Sequence, residues 1–276
     1  MRILLFLLSL LVVSAPHAAT FTVTSAADTA GTTCSAACTL RQAITAANAS
    51  AADTINFAIT VPVHGEILIQ PGTALPTITQ PLTINGYSQS GTRVNNDPNF
   101  SNAILRIRID GELAGAGAGI SLCAPNTQVR GLAITRFGGI GVHVPAGCST
   151  AGTIIGGNFV GLASSGVAAF GNLTPIRIDS GPVTIGGSAL ADRNVVAGNS
   201  FGIFVGTTAA TTIAGNLIGT DKSGALDFGQ TFGIVLTSAG SGGTQTIGLT
   251  GAPNRIRFNG DGIRHLSTAA TLTMYA

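Results

Sequence analysis

The second half of the chain is a succession of short apolar runs separated by glycine, asparagine and serine. Runs such as TIIGG, VTIGG, NVVAG and TTIAG are rich in Val, Ile and Thr. This composition is typical of β-strands bounded by turns. No run between residues 153 and 266 has the 10–12 residues of helical periodicity that a helical repeat needs. The pattern therefore predicts many short strands.

These strands belong to an internal repeat. GNFVGLASSGVAAFGN at 157–172 returns as GNLIGTDKSGALDFGQ at 215–230, an offset of 215 − 157 = 58 residues with seven of 16 positions identical. A fixed period of this kind indicates a solenoid or an array. Because the strands are separated by few residues and the period is too long for one hairpin, the sequence predicts an all-β, right-handed parallel β-helix. Its coils are expected to stack at about 4.8 Å.

An asparagine followed by two mostly apolar residues marks each unit. The gaps between these residues are 36, 22 and 38, so a long step and a short step make one repeat; the four are Asn158, Asn194, Asn216 and Asn254. Asparagine tolerates left-handed backbone geometry at a corner, and stacked side chains can hydrogen-bond along a ladder. We therefore predict four equivalent structural corners, with a ligand site as the alternative.

The first 19 residues are predicted to be a signal peptide. Arg2 precedes an apolar stretch at residues 3–13, and small residues at 15–19 form the cleavage zone. The apolar stretch is too short for a stable membrane span. We therefore expect export, with a secreted or cell-surface location and no transmembrane segment in the mature chain.

Residues 20–53 are predicted to cap the solenoid and residues 54–276 to form it. The cap begins with an alternating strand at 21–28 and contains one helix. Thr39 can cap that helix, and Leu40, Ile44 and Ala47 fall on one face. The end of a solenoid needs a cover of this kind, with one polar side.

Four cysteines remain after export, and their even number favours disulfides over a metal site. Three pairings are possible, and the pairing local in sequence joins Cys34 to Cys38 and Cys123 to Cys148. A zinc site needs a nearby His or a second close Cys pair, which the first two cysteines lack.

The segment CTLRQAITAAN at 38–48 resembles the Cys-Ser-Leu-Arg-Glu-Ala motif of CSLREA-type bacterial secreted proteins, with Thr39 in place of Ser and Gln42 in place of Glu. The segments at 75–91, 129–142 and 185–203 are similar to the pectin-lyase-like β-helix that often follows that motif. The resemblance implies a β-helix of this type. That fold serves lyases, hydrolases, adhesins and surface proteins, so it does not select a function.

Composition restricts the partners. Only 9% of the residues are charged, whereas an ordinary soluble domain has about 25% charged residues. The formal net charge is +2. No basic stripe is present, so the sequence predicts no nucleic-acid binding. It also predicts no cofactor and no metal, since His64 and His265 lack partners at metal-ligand spacing.

The strongest enzymatic arrangement combines acidic and basic residues of two segments. Period-two alternation places Arg177 with Asp179 on one face, and Arg255 with Arg257 likewise, while Asp261 follows. RIR loosely resembles the Arg-Ile-Lys element of polygalacturonases, but their Gly-His-Gly and paired-Asp elements are absent. The alternative is a solvated outer face, and convergence of these charges within about 4–6 Å would favour an enzyme.

Two further motifs are assigned structural roles. His143 alternates with Val142 and Val144, so we expect it to point outward as a surface residue. The segment GTDKSG at 219–224 is similar to an acidic calcium loop, but its repeat partner GLASSG at 161–166 carries no acid, which excludes a repeated calcium site.

The sequence favours a non-enzymatic surface or matrix protein whose repetitive face serves adhesion or glycan binding, with a surface protein as another partner. The alternative is a polysaccharide-active lyase or glycoside hydrolase. After Leu266 the chain reads STAATLTMYA with no capping segment. We therefore expect the solenoid to be incomplete there and to self-associate through its open last coil.

Overall fold

Three parallel β-sheets form the walls of a solenoid. The structure is a computed structural model that describes residues 18–50, 52–60, 65–206, 210–237, 244–266 and 271–274. Residues 1–17 of the predicted signal peptide, and His64, therefore lie outside the described residues. All pairings between the named strands are parallel, so the predicted parallel β-helix is confirmed.

The strands are numbered in chain order. Sheet 1 contains β1 (Thr20–Val23), β2 (Asp53–Phe57), β4 (Leu82–Asn85), β7 (Gln128–Arg130), β10 (Thr153–Ile155), β13 (Val183–Gly186), β16 (Thr211–Ala214), β19 (Thr244–Ile247) and β22 (Thr271–Met274). Sheet 2 contains β3 (Ile67–Ile69), β5 (Ile107–Asp110), β8 (Leu132–Thr135), β11 (Phe159–Val160), β14 (Val195–Val196), β17 (Leu217–Ile218) and β20 (Arg255–Ile256). Sheet 3 contains β6 (Ile120–Ser121), β9 (Ile140–Val144), β12 (Thr174–Ile178), β15 (Ile203–Val205), β18 (Phe232–Leu236) and β21 (Asp261–His265).

Helices are short and few in the described part of the chain. The α-helix α1 spans Leu40–Ala47, and three 3₁₀ turns span Gly86–Ser88, Gly111–Leu113 and Leu190–Asp192. No helix among the described residues is long and apolar enough to cross a membrane.

Each coil from β4 to β21 contributes one strand to each sheet, as β10, β11 and β12 do before β13, β14 and β15. The period of two coils arises because the longer connections alternate. They lie between sheets 2 and 3 at residues 161–173 and 219–231, and between sheets 1 and 2 at residues 187–194 and 248–254. Consecutive coils therefore differ, and the sequence repeats only in every second one.

Inward-facing aliphatic side chains stack into ladders along the axis. On sheet 1, paired positions carry Ile55, Ile84, Val129, Ile155, Ile185, Ile213 and Ile247. On sheet 2 they carry Ile69, Ile109, Ile134, Val160, Val196, Ile218 and Ile256. All but Ile256 are buried. β-Branched residues suit this packing because they fit a pleated surface that contacts neighbours above and below.

The helix α1 covers the first coil as predicted. Thr39 and Gln42 form a capping box: the Gln42 backbone NH donates to the Thr39 hydroxyl at 3.3 Å, and the Thr39 NH donates to Gln42 Oε1 at 3.0 Å. Leu40, Ile44 and Ala47 are buried on one face and join the core. β1 pairs directly with β2, so this segment is continuous with sheet 1.

The four predicted asparagines occupy equivalent corners, directly before the strands β11, β14, β17 and β20. Each Nδ2 donates to Oδ1 of the next, at 3.2, 2.9 and 3.0 Å; the order is Asn158, Asn194, Asn216 and Asn254. These four residues do not use the left-handed backbone geometry that asparagine tolerates. Glycines take that conformation before two of them, Gly157 at φ 72° and Gly215 at φ 71°, because glycine has no Cβ to clash.

A second amide ladder lies at the corner between sheets 2 and 3. Asn172 Nδ2 donates to Asn199 Oδ1 at 3.0 Å, and Asn199 Nδ2 donates to Gln230 Oε1 at 2.8 Å. The Gln230 backbone NH in turn donates to Asn259 Oδ1 at 3.2 Å. The sequence analysis did not identify this ladder, although Asn172 aligns with Gln230 in the repeat.

Both predicted disulfides are confirmed. Cys34 bonds to Cys38 with the Cα atoms 4.6 Å apart, and Cys123 bonds to Cys148 with the Cα atoms 4.8 Å apart. All four cysteines of the chain are therefore paired. Disulfides indicate an oxidising, extracellular setting.

We expect Asn216→Ala to lower the free energy of unfolding by about 1–3 kcal/mol. The Asn216 side chain donates to the Ile185 and Ala214 carbonyls and to Asn254 Oδ1, and its own Oδ1 accepts from Asn194, so the change removes all of these hydrogen bonds. Asn254→Ala should cost less, since Asn254 is only partly buried and ends the described ladder. Urea denaturation of both variants checks this. Equal losses would show that the ladder does not act as a buried network.

Removing the Cys123–Cys148 bond by a double Cys→Ala change should destabilise the protein by roughly 3 kcal/mol on the chain-entropy model. The same change at Cys34 and Cys38 should cost roughly 2 kcal/mol, because its loop is shorter, with a sequence separation of 4 against 25. Thermal unfolding of the two double variants tests the order, and a reversed order contradicts it.

Candidate binding face

The outer face of sheet 3 carries a cluster of polar side chains. On β12, Ile176 and Ile178 are buried in the core while Arg177 lies outside between them. The ladder continues one residue beyond β12, because the Asp179 NH donates to the Val144 carbonyl at 2.8 Å. Arg177 and Asp179 therefore share one face, as the alternation predicted.

Asp179 joins His143 and Arg177 into one network. Arg177 Nε donates to Asp179 Oδ2 at 2.7 Å, and His143 Nε2 lies 3.0 Å from the same oxygen. His143 pairs with Arg177 across β9 and β12. The prediction that His143 points outward is confirmed, but the residue has a carboxylate partner and its side chain is only 22% exposed.

Asp179 remains ionised because of its partners. Partial burial raises the pKa of Asp179, but its hydrogen bonds with Arg177 and His143 and the charge of the Arg177 guanidinium outweigh burial and hold this pKa below its ordinary value. Gly206 leaves room for the carboxylate, since a Cβ there would lie 2.9 Å from Asp179 Oδ1. The arrangement thus presents a fixed carboxylate beside a guanidinium.

Aromatic rings extend this surface along the axis. Phe204, opposite Arg177 on β15, lies with its ring centroid 5.4 Å from the Arg177 Cζ atom. Phe201 and Phe232 stack with centroids 6.3 Å apart and planes 10° apart, and the Arg264 Cζ atom lies 5.0 Å from the Phe232 centroid. Such cation–π contacts contribute about 0.5–1 kcal/mol at exposed sites.

We call this surface the aromatic–arginine face; its members are His143, Arg177, Asp179, Phe201, Phe204, Phe232 and Arg264. A groove of about 630 Å³ adjoins it at the corner between sheets 2 and 3. Glu112, Arg136, Leu173 and Ser200 line that groove, and Ser200 directly precedes Phe201. The face therefore combines flat apolar rings with fixed hydrogen-bonding groups next to a concave surface.

The other candidate residues do not join Arg177 and Asp179. Arg255 lies on β20 in sheet 2 and donates to Asn99 Oδ1 at 3.1 Å. Arg257 donates to the Gly224 carbonyl at 2.8 Å. Asp261 is on β21 in sheet 3, three strands from β12, or about 14 Å at strand spacing. The five charged candidates are thus divided between two sheets.

A denser charge network on sheet 2 was missed by the sequence analysis. Asp110 is completely buried and accepts from Thr135 Oγ1 at 2.9 Å and from Arg136 Nε at 2.8 Å. Arg136 also pairs with Glu112 at 3.0 Å. Asp110 follows the inward-facing Ile107 and Ile109 on β5, and its partners Thr135 and Arg136 come from the next coil, about 25 residues later in the chain.

In the acidic loop at 219–224, the carboxylate of Asp221 accepts hydrogen bonds from residues that follow it directly in the chain. Asp221 accepts from the Ser223 NH and hydroxyl and from the NH groups of Ala225 and Leu226. Burial raises the pKa of Asp221, but these hydrogen bonds outweigh it and lower the pKa. Among the described residues no group of three His, Cys, Asp or Glu could hold a metal ion, and His265 is exposed on β21.

No family model and no curated protein matches this sequence. The resemblance to CSLREA-type proteins and to the pectin-lyase-like family therefore stays a prediction.

Asp179→Asn is expected to lower the free energy of unfolding at pH 7. Because the folded-state pKa of Asp179 lies below its unfolded value of about 3.9, the carboxylate stabilises the fold above that pH. The contribution is lost as pH falls through the folded-state pKa. Urea denaturation at pH 7 and near pH 2 should show the difference between wild type and variant closing at low pH.

Asp261→Asn is the matched control, since the Asp261 side chain is 54% exposed and lies 3.8 Å from Arg264. Exposed pairs contribute little, so its effect at pH 7 should be the smaller. An undiminished Asp179→Asn effect at low pH would contradict the assignment.

Proposed function

We propose that the chain is an exported, non-enzymatic surface or matrix protein that binds a glycan through the aromatic–arginine face. The observation that carries this proposal is the row of rings and guanidinium groups beside the fixed carboxylate of Asp179. Sugar rings offer apolar C–H faces to aromatic rings, and their hydroxyls pair with charged groups. The rigid solenoid supports such a row as an extended surface.

Export rests on the signal peptide predicted at residues 1–19 and on the two disulfides. The alternative, a polysaccharide-active enzyme, relied on Arg177, Asp179, Arg255, Arg257 and Asp261 acting together. Their division between two sheets is the reason that we prefer a binding role.

Binding of the full-length exported product to an array of extracellular glycans tests the proposal. Replacing both Phe201 and Phe232 with Ala should weaken binding at least tenfold, because this removes the stacked pair. Phe100→Ala is the matched control: Phe100 is 40% exposed, similar to the 38% of Phe201, and lies in the long loop that links sheets 1 and 2.

Unfolding curves of the variants separate a loss of binding from a loss of fold. Equal weakening by Phe100→Ala, or no bound glycan above background, would refute the binding role. New reducing ends or unsaturated products released from a bound polysaccharide would favour the enzyme instead.

A further inference from the structure

A cleft of about 510 Å³ lies on the outer side of sheet 2, and none of its lining residues belongs to the aromatic–arginine face. One side of the cleft is lined by Arg108 on β5 and by the residues directly before that strand, including Arg106. The connection at residues 161–173 forms one wall through Ser164 and Phe170, and Lys222 belongs to the equivalent connection two coils later.

The cleft concentrates positive charge. Arg106, Arg108 and Lys222 line it with one carboxylate, Glu66, so the lining carries 3 − 1 = +2, as much as the formal charge of the whole chain. Glu66 is already engaged. Its Oε2 accepts from the Ser164 NH at 2.9 Å and hydroxyl at 2.6 Å, and its Oε1 lies 3.2 Å from Arg108 Nη1.

Arg108 is held in place at the cleft by two carboxylates and an aromatic ring. It is 8% exposed, and its Cζ atom lies 4.9 Å from the centroid of Phe170. Its buried Nε has no hydrogen-bond partner; Asp110 Oδ2, 3.5 Å away, is bound more closely by Arg136 at 2.8 Å. A guanidinium that is already fixed in the lining of the cleft favours an anionic occupant, because little reorganisation is needed on binding.

Lys222 adds a further cation to the cleft. Its backbone is fixed by the carbonyl of Gly166 and the NH of Ser101, while its ammonium group has no hydrogen bond or ion pair to any described residue. Burial and the nearby Arg93 lower the pKa of Lys222, partly opposed by Asp221. An anion in the cleft would offset both effects.

We propose that this cleft binds an anionic group carried by a saccharide, either a sulfate ester or a uronate carboxylate. The proposal rests on the proposed function and gives it a substrate class, an acidic glycan with one charged group in the cleft. Arginine and lysine suit both groups, because their donors form charge-assisted hydrogen bonds to sulfate and carboxylate oxygens. The probes below distinguish the two.

The chain offers a direct reporter, since Lys222 is its only lysine. Reductive ¹³C-methylation of the full-length exported product labels this amine and the N-terminus, and the Lys222→Gln variant, which keeps only the N-terminal signal, assigns the two. Methyl NMR signals then follow Lys222 during addition of sulfated oligosaccharide, oligouronate, neutral oligosaccharide of equal length, or inorganic sulfate. We expect an acidic oligosaccharide to move the Lys222 signal and raise its pKa, because a nearby anion favours the charged amine.

Calorimetry with variants completes the test. Lys222→Gln should weaken binding of the acidic oligosaccharide at least tenfold and leave binding of the neutral one unchanged. Arg255→Gln is the control, since it removes the same charge from sheet 2 outside the cleft. Equal effects of the two variants would overturn the proposal, and so would a Lys222 signal that responds to inorganic sulfate but to no saccharide.

Failure of the two proposals can be told apart. If acidic oligosaccharides move the Lys222 signal but the Phe201→Ala, Phe232→Ala double variant binds all glycans normally, the cleft is supported and the aromatic–arginine face is not. If that double variant loses glycan binding but Lys222 responds to no acidic probe, the face is supported and the cleft proposal is wrong.

Discussion

The hydrogen bonding of each coil to its two neighbours is the constraint on which the rest of the structure depends. Backbone NH and carbonyl groups of one strand can be satisfied only if the next coil keeps the same register. Register in turn fixes which side chains face inward, because a shift of one residue exchanges the two faces. The aliphatic ladders on sheets 1 and 2 are the result, and extra residues are accommodated only at the corners.

Backbone groups at the corners need other hydrogen-bond partners, because there the backbone leaves the strand ladder. Two ladders of side-chain amides supply such partners, one at each side of sheet 2. Side-chain amides suit this position since each offers a donor and an acceptor along the axis and also bonds to backbone carbonyls, as Asn158 does to Val129 and Gly156. Satisfied in this way, polar residues can be buried without the cost of unpaired groups.

A low content of charge makes the placement of each charged residue informative. Several ionic groups have partners in other segments of the chain: Arg41 with Asp28 within the cap, Arg136 with Asp110 on sheet 2, and Asp179 with His143 on sheet 3. Arg193 is nearly buried and donates to the carbonyls of Asp97, Pro98, Phe100 and Gly215, which fixes the long loop against coils far along the axis. The cleft on sheet 2 differs from these networks, because its three cationic side chains share one lining carboxylate, Glu66.

The sequence by itself determined the solenoid, the capping helix, the local disulfide pairing and the first asparagine ladder. Each of these depends on contacts that recur at a fixed spacing or lie close in the chain, so periodicity reveals them. The helix cap shows this well, because Thr39 lies directly before the helix and needs only Gln42, three residues later, to complete the cap. Only the tertiary structure decided which charges meet. His143 and Asp179 are 36 residues apart and Glu66 and Ser164 are 98 apart, and such pairs depend on the length of every intervening connection. For that reason Arg177 and Asp179 were correctly placed together by alternation within one strand, whereas Arg255 and Arg257 lie in another sheet.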